Sequence, residues 1–161
     1  MSETRVGLGF DVHPFSDDPS RPLVLGGIEL PGERGLAGHS DADVVAHAVA
    51  DAVLGACGMG DLGEHFPDTD PAWAGADSMG ILSRVAAMAG NERWHVVNVD
   101  CTVLLEAPRL GPYKADMARL LAAGAGAGAR VSVKATRAEG LGAIGRAEGV
   151  ACWAVALVER R

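Results

Sequence analysis

Aromatic residues are scarce in this chain of 161 residues: Phe, Trp and Tyr make up 4% of it, although 48% of the residues are hydrophobic. A core must therefore be built mainly from Ala, Val and Leu, each of which buries less apolar area than an aromatic ring. For this length a single domain over residues 1–161 is expected, with roughly two thirds of its unfolded surface hidden on folding. Because a core of small side chains gains less per residue, assembly with further copies would add stability.

Positive charge is also in short supply, with 14 Lys and Arg residues against 21 Asp and Glu residues and a formal net charge of -7. Nucleic acids and anionic membranes are bound by concentrated Lys and Arg, so neither is expected as a partner. The chain has no apolar run as long as a membrane span, and Met1 to Arg5 lack the pattern of a signal peptide. We expect a soluble, cytoplasmic protein.

Cysteine is limited to three residues without C-x-x-C spacing. Cys57, Cys101 and Cys152 each lie in an apolar stretch, as small core residues do. An odd, scattered set predicts free thiols in a reducing compartment.

The order of periodic segments predicts the fold. A hairpin is expected at 22–30, with Gly26 and Gly27 at its turn, and a capping box of Ser40 and Asp43 is expected to begin a helix. The predicted strands cover 5–15, 94–105, 131–136 and 150–158, and the predicted helices cover 44–57, 79–89 (after the cap Asp77-Ser78) and 113–123. This order indicates an α+β fold (an α/β sandwich) with a mixed sheet and helices on one face. A second subunit would then cover the other face.

The segment Gly9-Phe10-Asp11-Val12-His13 has the pattern of a strand end. Alternation places Asp11 and His13 on one side, whereas Phe10 and Val12 turn to the other side, where we expect the core. One carboxylate and one imidazole suit zinc when a further histidine joins them. Such a pair can also simply decorate the end of a strand.

The third ligand must come from another histidine: His39, His47, His65 or His95. His47 lies one turn after Asp43 on the predicted helix, so Asp43 would share its face and could orient the imidazole. This spacing favours His47. A histidine with satisfied hydrogen bonds in the core is the alternative.

Two pairs of Asp residues could act as magnesium ligands, but the local structure predicted at each pair also accounts for the acidic residues there. Asp41 and Asp43 lie at a helix start, where carboxylates are favourable, and Asp68 and Asp70 lie in a turn flanked by prolines.

The segment Gly140 to Gly145 fits the dinucleotide pattern G-x-G-x-x-G. No helix is evident after it, and too few residues follow for another βαβ unit, so a Rossmann fold is rejected. A backbone-lined loop that approaches phosphate is predicted instead, with Thr136 and Arg137 as donors and Glu139 as a ligand for a hard cation.

Nine segments together resemble the 2-C-methyl-D-erythritol 2,4-cyclodiphosphate synthase family, in order and over almost the whole chain. They are Gly9–His13, His39–Asp43, His47, Gly60–Gly63, Phe66–Pro71, Gly75–Ser78, Asn98–Asp100, Ala107–Arg109 and Gly145–Gly149.

The resemblance implies an enzyme of non-mevalonate isoprenoid biosynthesis. It would convert 4-diphosphocytidyl-2-C-methyl-D-erythritol 2-phosphate to the 2,4-cyclodiphosphate and release CMP. It also implies a four-stranded sheet whose open face packs at the centre of a homotrimer, with active sites between subunits.

The resemblance further implies the site residues. Zinc would be held by Asp11, His13 and His47, and magnesium or manganese by Glu139. Catalysis would involve His39 and the position of Arg137. Substrate would meet Asp11, His13, His39, Ser40, Asp61, Leu62, Gly63, Phe66, Asp68, Asp70, Ile81, Ala143 and Arg146. Cytidine would meet Leu105, Glu106, Ala107, Pro108, Arg109, Leu110, Gly111, Ala135, Thr136 and Arg137.

The chain departs from the family pattern at Arg137, which stands where a threonine is common. A guanidinium there would either take over the hydroxyl's role or swing away. Smaller departures are Ala42, Ala143, Ile144 and Ala147. Arg146 and Glu148 would line a central cavity proposed for isoprenoid diphosphates, or else form ion pairs that hold the trimer.

Two other functions fit the same ligands. A zinc-dependent phosphohydrolase would activate water and give a linear product. A non-catalytic trimer with structural zinc would need four protein ligands, and only three fit together.

Overall fold

A computed structural model describes residues 3–160, which form a four-stranded mixed sheet and a separate hairpin. The large sheet contains β1 (Glu3–Pro14), β4 (Trp94–Leu104), β5 (Arg130–Thr136) and β6 (Gly149–Arg160), and the hairpin contains β2 (Leu23–Leu25) and β3 (Ile28–Leu30). The sheet order is β1-β6-β4-β5, in which only β4 and β5 are parallel. The α+β class and the mixed sheet agree with the sequence prediction.

The three predicted helices are present in the predicted order with small shifts at their ends, and short helical turns that were not predicted lie between and after them. They are α1 (Val44–Cys57), α2 (Leu62–His65), a 3-10 turn (Pro71–Trp73), α3 (Ser78–Asn91), α4 (Lys114–Ala125) and α5 (Gly142–Gly145). The four-residue α5 lies inside the glycine-rich segment, where no helix was predicted. None of the helices within residues 3–160 combines the length and apolar character needed to cross a membrane.

The start of α1 corrects the predicted capping box. Its N-cap is Asp43, which is fully buried and accepts hydrogen bonds from the backbone N–H groups of Val45 and Ala46. The same carboxylate also accepts from Gly26 N (2.8 Å) and Gly27 N (2.7 Å) at the turn between β2 and β3. Asp43 therefore fixes the hairpin against the helix, because buried acceptors require partners.

Helix α1 lies unusually close to β1. Gly7 and Gly9 face it, and a Cβ at either position would overlap backbone atoms of Ala52 or Ala48. The helix is rich in buried alanine on this side, so neither surface carries a bulky side chain. Small residues on both sides allow this close backbone approach.

The opposite face of β1 corrects a second prediction. Phe10 and Val12 do not enter the core: they are 47% and 48% exposed on the face away from α1. Strand alternation explains this, because the face that carries Gly9 and Asp11 is the one that packs on the helix. The exposed apolar residues on this face are Val6, Leu8, Phe10, Val12, Trp153 and Val155.

The three cysteines are free and buried, as predicted. Burial raises the pKa of the Cys57 thiol to about 11, so it is inert near neutral pH.

Candidate metal centre

The end of β1 and the first turns of α1 bring three predicted ligands together. The ligand atoms of Asp11, His13 and His47 all lie within 4.8 Å of one another. Asp11 Oδ2 is 3.0 Å from His13 Nε2 and 3.1 Å from His47 Nδ1. The strand supplies two side chains by alternation, and the close helix supplies the third.

The hydrogen bonding of His13 leaves one nitrogen directed into the cluster. Its Nδ1 is 2.9 Å from the carbonyl oxygen of Ala37, to which it donates as an N–H group. The other nitrogen, Nε2, is buried and has no aligned hydrogen-bond partner among residues 3–160. A buried lone pair beside a carboxylate is the arrangement of a metal ligand whose other nitrogen is fixed by a carbonyl.

The hydrogen bonds of His47 correct the predicted role of Asp43. The Asp43 carboxylate is turned toward backbone N–H groups, and only its main-chain carbonyl contacts His47, as the acceptor for His47 N. His47 Nε2 instead lies 2.8 Å from Ser78 Oγ and 3.3 Å from Ser40 Oγ. The sequence therefore placed His47 correctly but not its partner.

The electrostatics of the cluster favour a negative Asp11. Burial opposes its ionisation, yet the close contacts of its Oδ2 with the His13 and His47 rings hold the pKa of Asp11 well below its usual value. Burial likewise opposes the charged form of His13, but the neighbouring Asp11 carboxylate raises the pKa of His13. The ionisation of the Asp11 carboxylate therefore depends on both histidine rings beside it.

One carboxylate oxygen and two imidazole nitrogens form a mixed donor set that suits a transition metal. His13 Nε2 is buried 3.0 Å from Asp11 Oδ2 without an aligned hydrogen bond among residues 3–160, which adds a structural reason to expect a cation here. The residues therefore fit a metal cofactor with coordination positions left for another ligand.

A cavity of about 600 Å³ opens above these three side chains. Ten of the predicted substrate residues line it: Asp11, His13, His39, Ser40, Asp61, Leu62, Gly63, Phe66, Asp68 and Ile81. Further lining residues that were not predicted are Phe10, Gly38, Asp51, Pro67 and Trp73. Of these, Asp51 and Trp73 carried a detectable signal, because an acid within an apolar helix and an aromatic residue in a polar loop are both uncommon.

The remaining predicted substrate residues lie outside this cavity. Asp70 caps the 3-10 turn by accepting from Ala72 N at 2.9 Å. Ala143 and Arg146 lie at α5, where Arg146 Nε donates to Glu148 Oε1 at 2.6 Å. Arg146 is thus engaged in an ion pair within the chain.

The predicted cytidine residues form a second group at the ends of β4 and β5. Leu105 N donates to Thr136 O at 3.1 Å, which joins the two segments. Arg137 Nη2 lies 2.9 Å from Glu106 Oε2, and this contact lowers the pKa of Glu106. These residues do not line the 600 Å³ cavity of the same chain.

Glu139 is exposed beside this second group and has a left-handed backbone with φ 55°. Within residues 3–160, the only cluster of three His, Cys, Asp or Glu ligands is the one at Asp11, His13 and His47. A cation at Glu139 would therefore depend on further ligands from a bound phosphate or from water.

Fold and site together define an α+β protein with a candidate metal centre between a strand end and a buried helix. The chain belongs to the YgbB family, whose model matches residues 4–159. A 2-C-methyl-D-erythritol 2,4-cyclodiphosphate synthase of Symbiobacterium thermophilum is 53% identical over 157 residues, which cover 97% of this chain and 99% of that protein. A protein of the same name from Thiobacillus denitrificans is 53% identical over 161 residues, covering 99% of each chain.

Solved structures agree with these relatives. The bifunctional IspDF of Campylobacter jejuni is 38% identical with a TM-score of 0.93, and the match covers all of this chain and 43% of that one. A 2C-methyl-D-erythritol-2,4-cyclodiphosphate synthase in its CDP-bound form is 32% identical with a TM-score of 0.84, and the match covers 96% of this chain and 99% of that one. The family resemblance found in the sequence is confirmed.

Proposed function

We propose that this chain converts 4-diphosphocytidyl-2-C-methyl-D-erythritol 2-phosphate to 2-C-methyl-D-erythritol 2,4-cyclodiphosphate and CMP, within isoprenoid biosynthesis. The observation that carries this proposal is the convergence of Asp11, His13 and His47 under a cavity of about 600 Å³. The near full-length relatives at 53% identity carry the name of this synthase.

The reaction is an intramolecular phosphoryl transfer. An oxygen of the 2-phosphate forms a bond to the β-phosphorus of the diphosphate, the bond from that phosphorus to the CMP oxygen breaks, and its electron pair leaves with CMP. No water takes part as a nucleophile. The protein must hold two anionic groups in line and offset their repulsion, since positioning and charge stabilisation dominate such transfers.

Zinc is the ion we assign to Asp11, His13 and His47, where it would supply a Lewis acid for phosphate oxygens. His39 and Ser40 lie at the same cavity, within reach of a phosphate held there. Asp61, Gly63 and Asp68 line the wall of the cavity and offer acceptors and backbone groups to the methylerythritol hydroxyls.

The cytidine end of the substrate would bind the second group of residues, from Leu105 to Gly111 and from Ala135 to Arg137. The CDP-bound relative supports a cytidine nucleotide as the ligand. We propose a homotrimer in which this group from one subunit faces the cavity of the next. The exposed apolar face of β1 and β6 supports such an assembly, because a sheet face of this kind favours burial.

The finer assignments complete the proposal. Glu139 would hold magnesium or manganese on the diphosphate, and Arg137 would offset charge at the transferring phosphorus. Arg146 and Glu148 would line the centre of the trimer, where their ion pair within the chain leaves both roles open, a site for isoprenoid diphosphates and contacts that hold the trimer. A single domain over residues 1–161 and a cytoplasmic location remain predictions.

Phosphorus NMR of the product tests the proposal. The expected result is a cyclic diphosphate released together with CMP in equal amounts. A linear phosphate product with CMP would favour the zinc-dependent phosphohydrolase. A protein that binds zinc but consumes no substrate would favour the non-catalytic trimer with structural zinc.

A further inference from the structure

Ser78 and Asp41 form a short hydrogen-bonded chain behind His47. Ser78 is the first residue of α3, and its hydroxyl group is fully buried. Its Oγ lies 2.8 Å from His47 Nε2 and donates to Asp41 Oδ1. Asp41 Oδ2 also accepts from Ser78 N at 3.1 Å, so the carboxylate binds both the hydroxyl group and the backbone N–H group of Ser78.

The proton count along this chain fixes the state of the imidazole. A carboxylate can only accept, and Ser78 has a single hydroxyl proton, so that proton is used toward Asp41. Ser78 Oγ must then accept from His47, which places the imidazole proton on Nε2. In the neutral imidazole, the form that binds a metal, the lone pair of Nδ1 then lies on the side of Asp11 Oδ2, 3.1 Å away, where the candidate metal centre lies.

The neighbouring Ser40 is less suited to this task. Its Oγ is 3.3 Å from His47 Nε2 and also accepts from Ala42 N at 3.1 Å. No carboxylate is paired with Ser40 Oγ among the contacts of the described residues, whereas Ser78 has Asp41. The shorter contact and the charged partner both favour Ser78.

We propose that Asp41 and Ser78 are positioning residues that hold His47 as the Nε2-protonated tautomer, so that Nδ1 serves as a metal ligand. This inference rests on the proposed zinc site and adds to it a carboxylate–hydroxyl–imidazole relay. The negative charge of Asp41, passed through Ser78, also makes His47 a stronger donor. Such partners commonly change metal affinity by about 10–100-fold when removed.

The test measures zinc affinity of the full chain by competition with a chromophoric chelator. Ser78→Ala removes the acceptor, and Asp41→Asn keeps the shape but removes the charge. Both variants are expected to bind zinc about 10–100-fold more weakly than the wild type. Because Asp41→Asn retains similar volume, it keeps the test valid if Ser78→Ala folds poorly.

Two matched controls are Ser83, within α3, and Asp77, the N-cap residue of α3. Ser83→Ala removes a hydroxyl that donates only to Met79 O at 3.0 Å, and Asp77→Asn alters the carboxylate that caps Met79 N. Neither side chain contacts His47, so zinc affinity is expected to stay at the wild-type value. A loss of affinity in both controls equal to that of Ser78→Ala would overturn the proposal.

A spectroscopic measurement separates positioning from general support of the fold. In the zinc-loaded wild type, NMR should show the proton on His47 Nε2 with the shift of a hydrogen-bonded N–H group. Ser78→Ala should move this signal upfield and speed its exchange with water, while the remaining amide spectrum stays folded. An unmoved signal would contradict the relay.

The outcomes distinguish the relay from the function on which it rests. Equal zinc affinity in wild type, Ser78→Ala and Asp41→Asn overturns the relay and leaves the synthase activity intact. A wild type that makes no cyclic product, but loses zinc affinity on Asp41→Asn, supports the relay and overturns the function. A wild type that binds no zinc overturns both.

Discussion

The two faces of β1 differ in the residues that they carry and in what packs against them. Toward α1 the strand carries Gly7, Gly9, Asp11 and His13, which contact the helix backbone or form the candidate metal centre. Away from α1 it carries Val6, Leu8, Phe10 and Val12, which are between 47% and 65% exposed.

One face of the strand therefore carries the candidate ligands, and the other carries an exposed apolar surface that the proposed assembly would cover. Glycine on the first face lets the helix come close enough for His47 to meet two side chains of the strand. Large apolar residues on the second face gain free energy only if another surface covers them. The following predictions test this division of roles, from the largest expected effect to the smallest.

Removing the helix ligand should have the largest effect. His47→Ala is expected to lower kcat/KM at least about 1,000-fold, or about 4 kcal/mol, because the site would lose one of its three proposed metal ligands. The assembly should remain intact, since His47 lies on the helix side of β1. His95→Ala, at an exposed position of β4, is the control and should keep full activity. Wild-type turnover by His47→Ala would refute the metal assignment.

Closing the space between β1 and α1 should affect stability next most strongly. Gly9→Ala places a Cβ against Ala48 O, a backbone atom that cannot rotate away. We expect a loss of about 3 kcal/mol in the free energy of unfolding, at the upper end for overpacked sites. Denaturant unfolding would measure it.

Gly90→Ala is the control for that change. Its added Cβ has no neighbour within 4 Å and it lies on α3, so a small gain in helix stability is expected. If both alanine variants unfold at the same denaturant concentration, the close contact of β1 with α1 does not contribute to the free energy of unfolding.

Substitutions on the exposed apolar face of β1 and β6 should change the oligomeric state. Leu8→Asp replaces a side chain that is 65% exposed in the single chain, so its effect depends on what covers it. In a trimer the loss of buried area is expected to cost about 2 kcal/mol per subunit and to shift the mass measured by light scattering toward monomer. Leu141→Asp, at a loop position that is 76% exposed, should leave the mass unchanged. An unchanged mass for Leu8→Asp would place assembly elsewhere.

Arg137 should give the smallest effect on activity. Arg137→Ala is expected to reduce kcat about tenfold, or about 1.4 kcal/mol, because the proposed role of Arg137 is to offset charge at the transferring phosphorus. Arg119→Ala is the control, because Arg119 pairs with Asp116 on an exposed surface. A rate equal to that of the wild type would make Arg137 a bystander held by Glu106.

Alternation and capping rules predicted much of this fold and site from the sequence. The strand period placed Asp11 and His13 on one side, and Asp77 before Ser78 marked the start of α3. Spacing on α1 favoured His47 among the four histidines, although the partner that this argument assumed, Asp43, was wrong. These features depend on local geometry, which residue spacing determines directly.

The errors arose where long-range packing decides the outcome. Phe10 and Val12 look like core residues, but the close approach of α1 made the glycine face of β1 the inner one. Asp43 is near His47 in sequence, yet its carboxylate binds the turn between β2 and β3. Ser78 lies 31 residues after His47, and only the folded chain brings its hydroxyl to the imidazole.

The glycine and alanine contact between β1 and α1 would make a metal bound at the candidate centre sensitive to the distance between sheet and helix. Two of the candidate ligands belong to the sheet and one to the helix, so a change in that distance would alter the ligand geometry. A visible-absorbing ion such as cobalt(II) at this site would therefore report core packing through its ligand-field spectrum. Substitutions in the later turns of α1, far from the substrate cavity, would then be detected as shifts in the visible absorption spectrum of the bound cobalt(II).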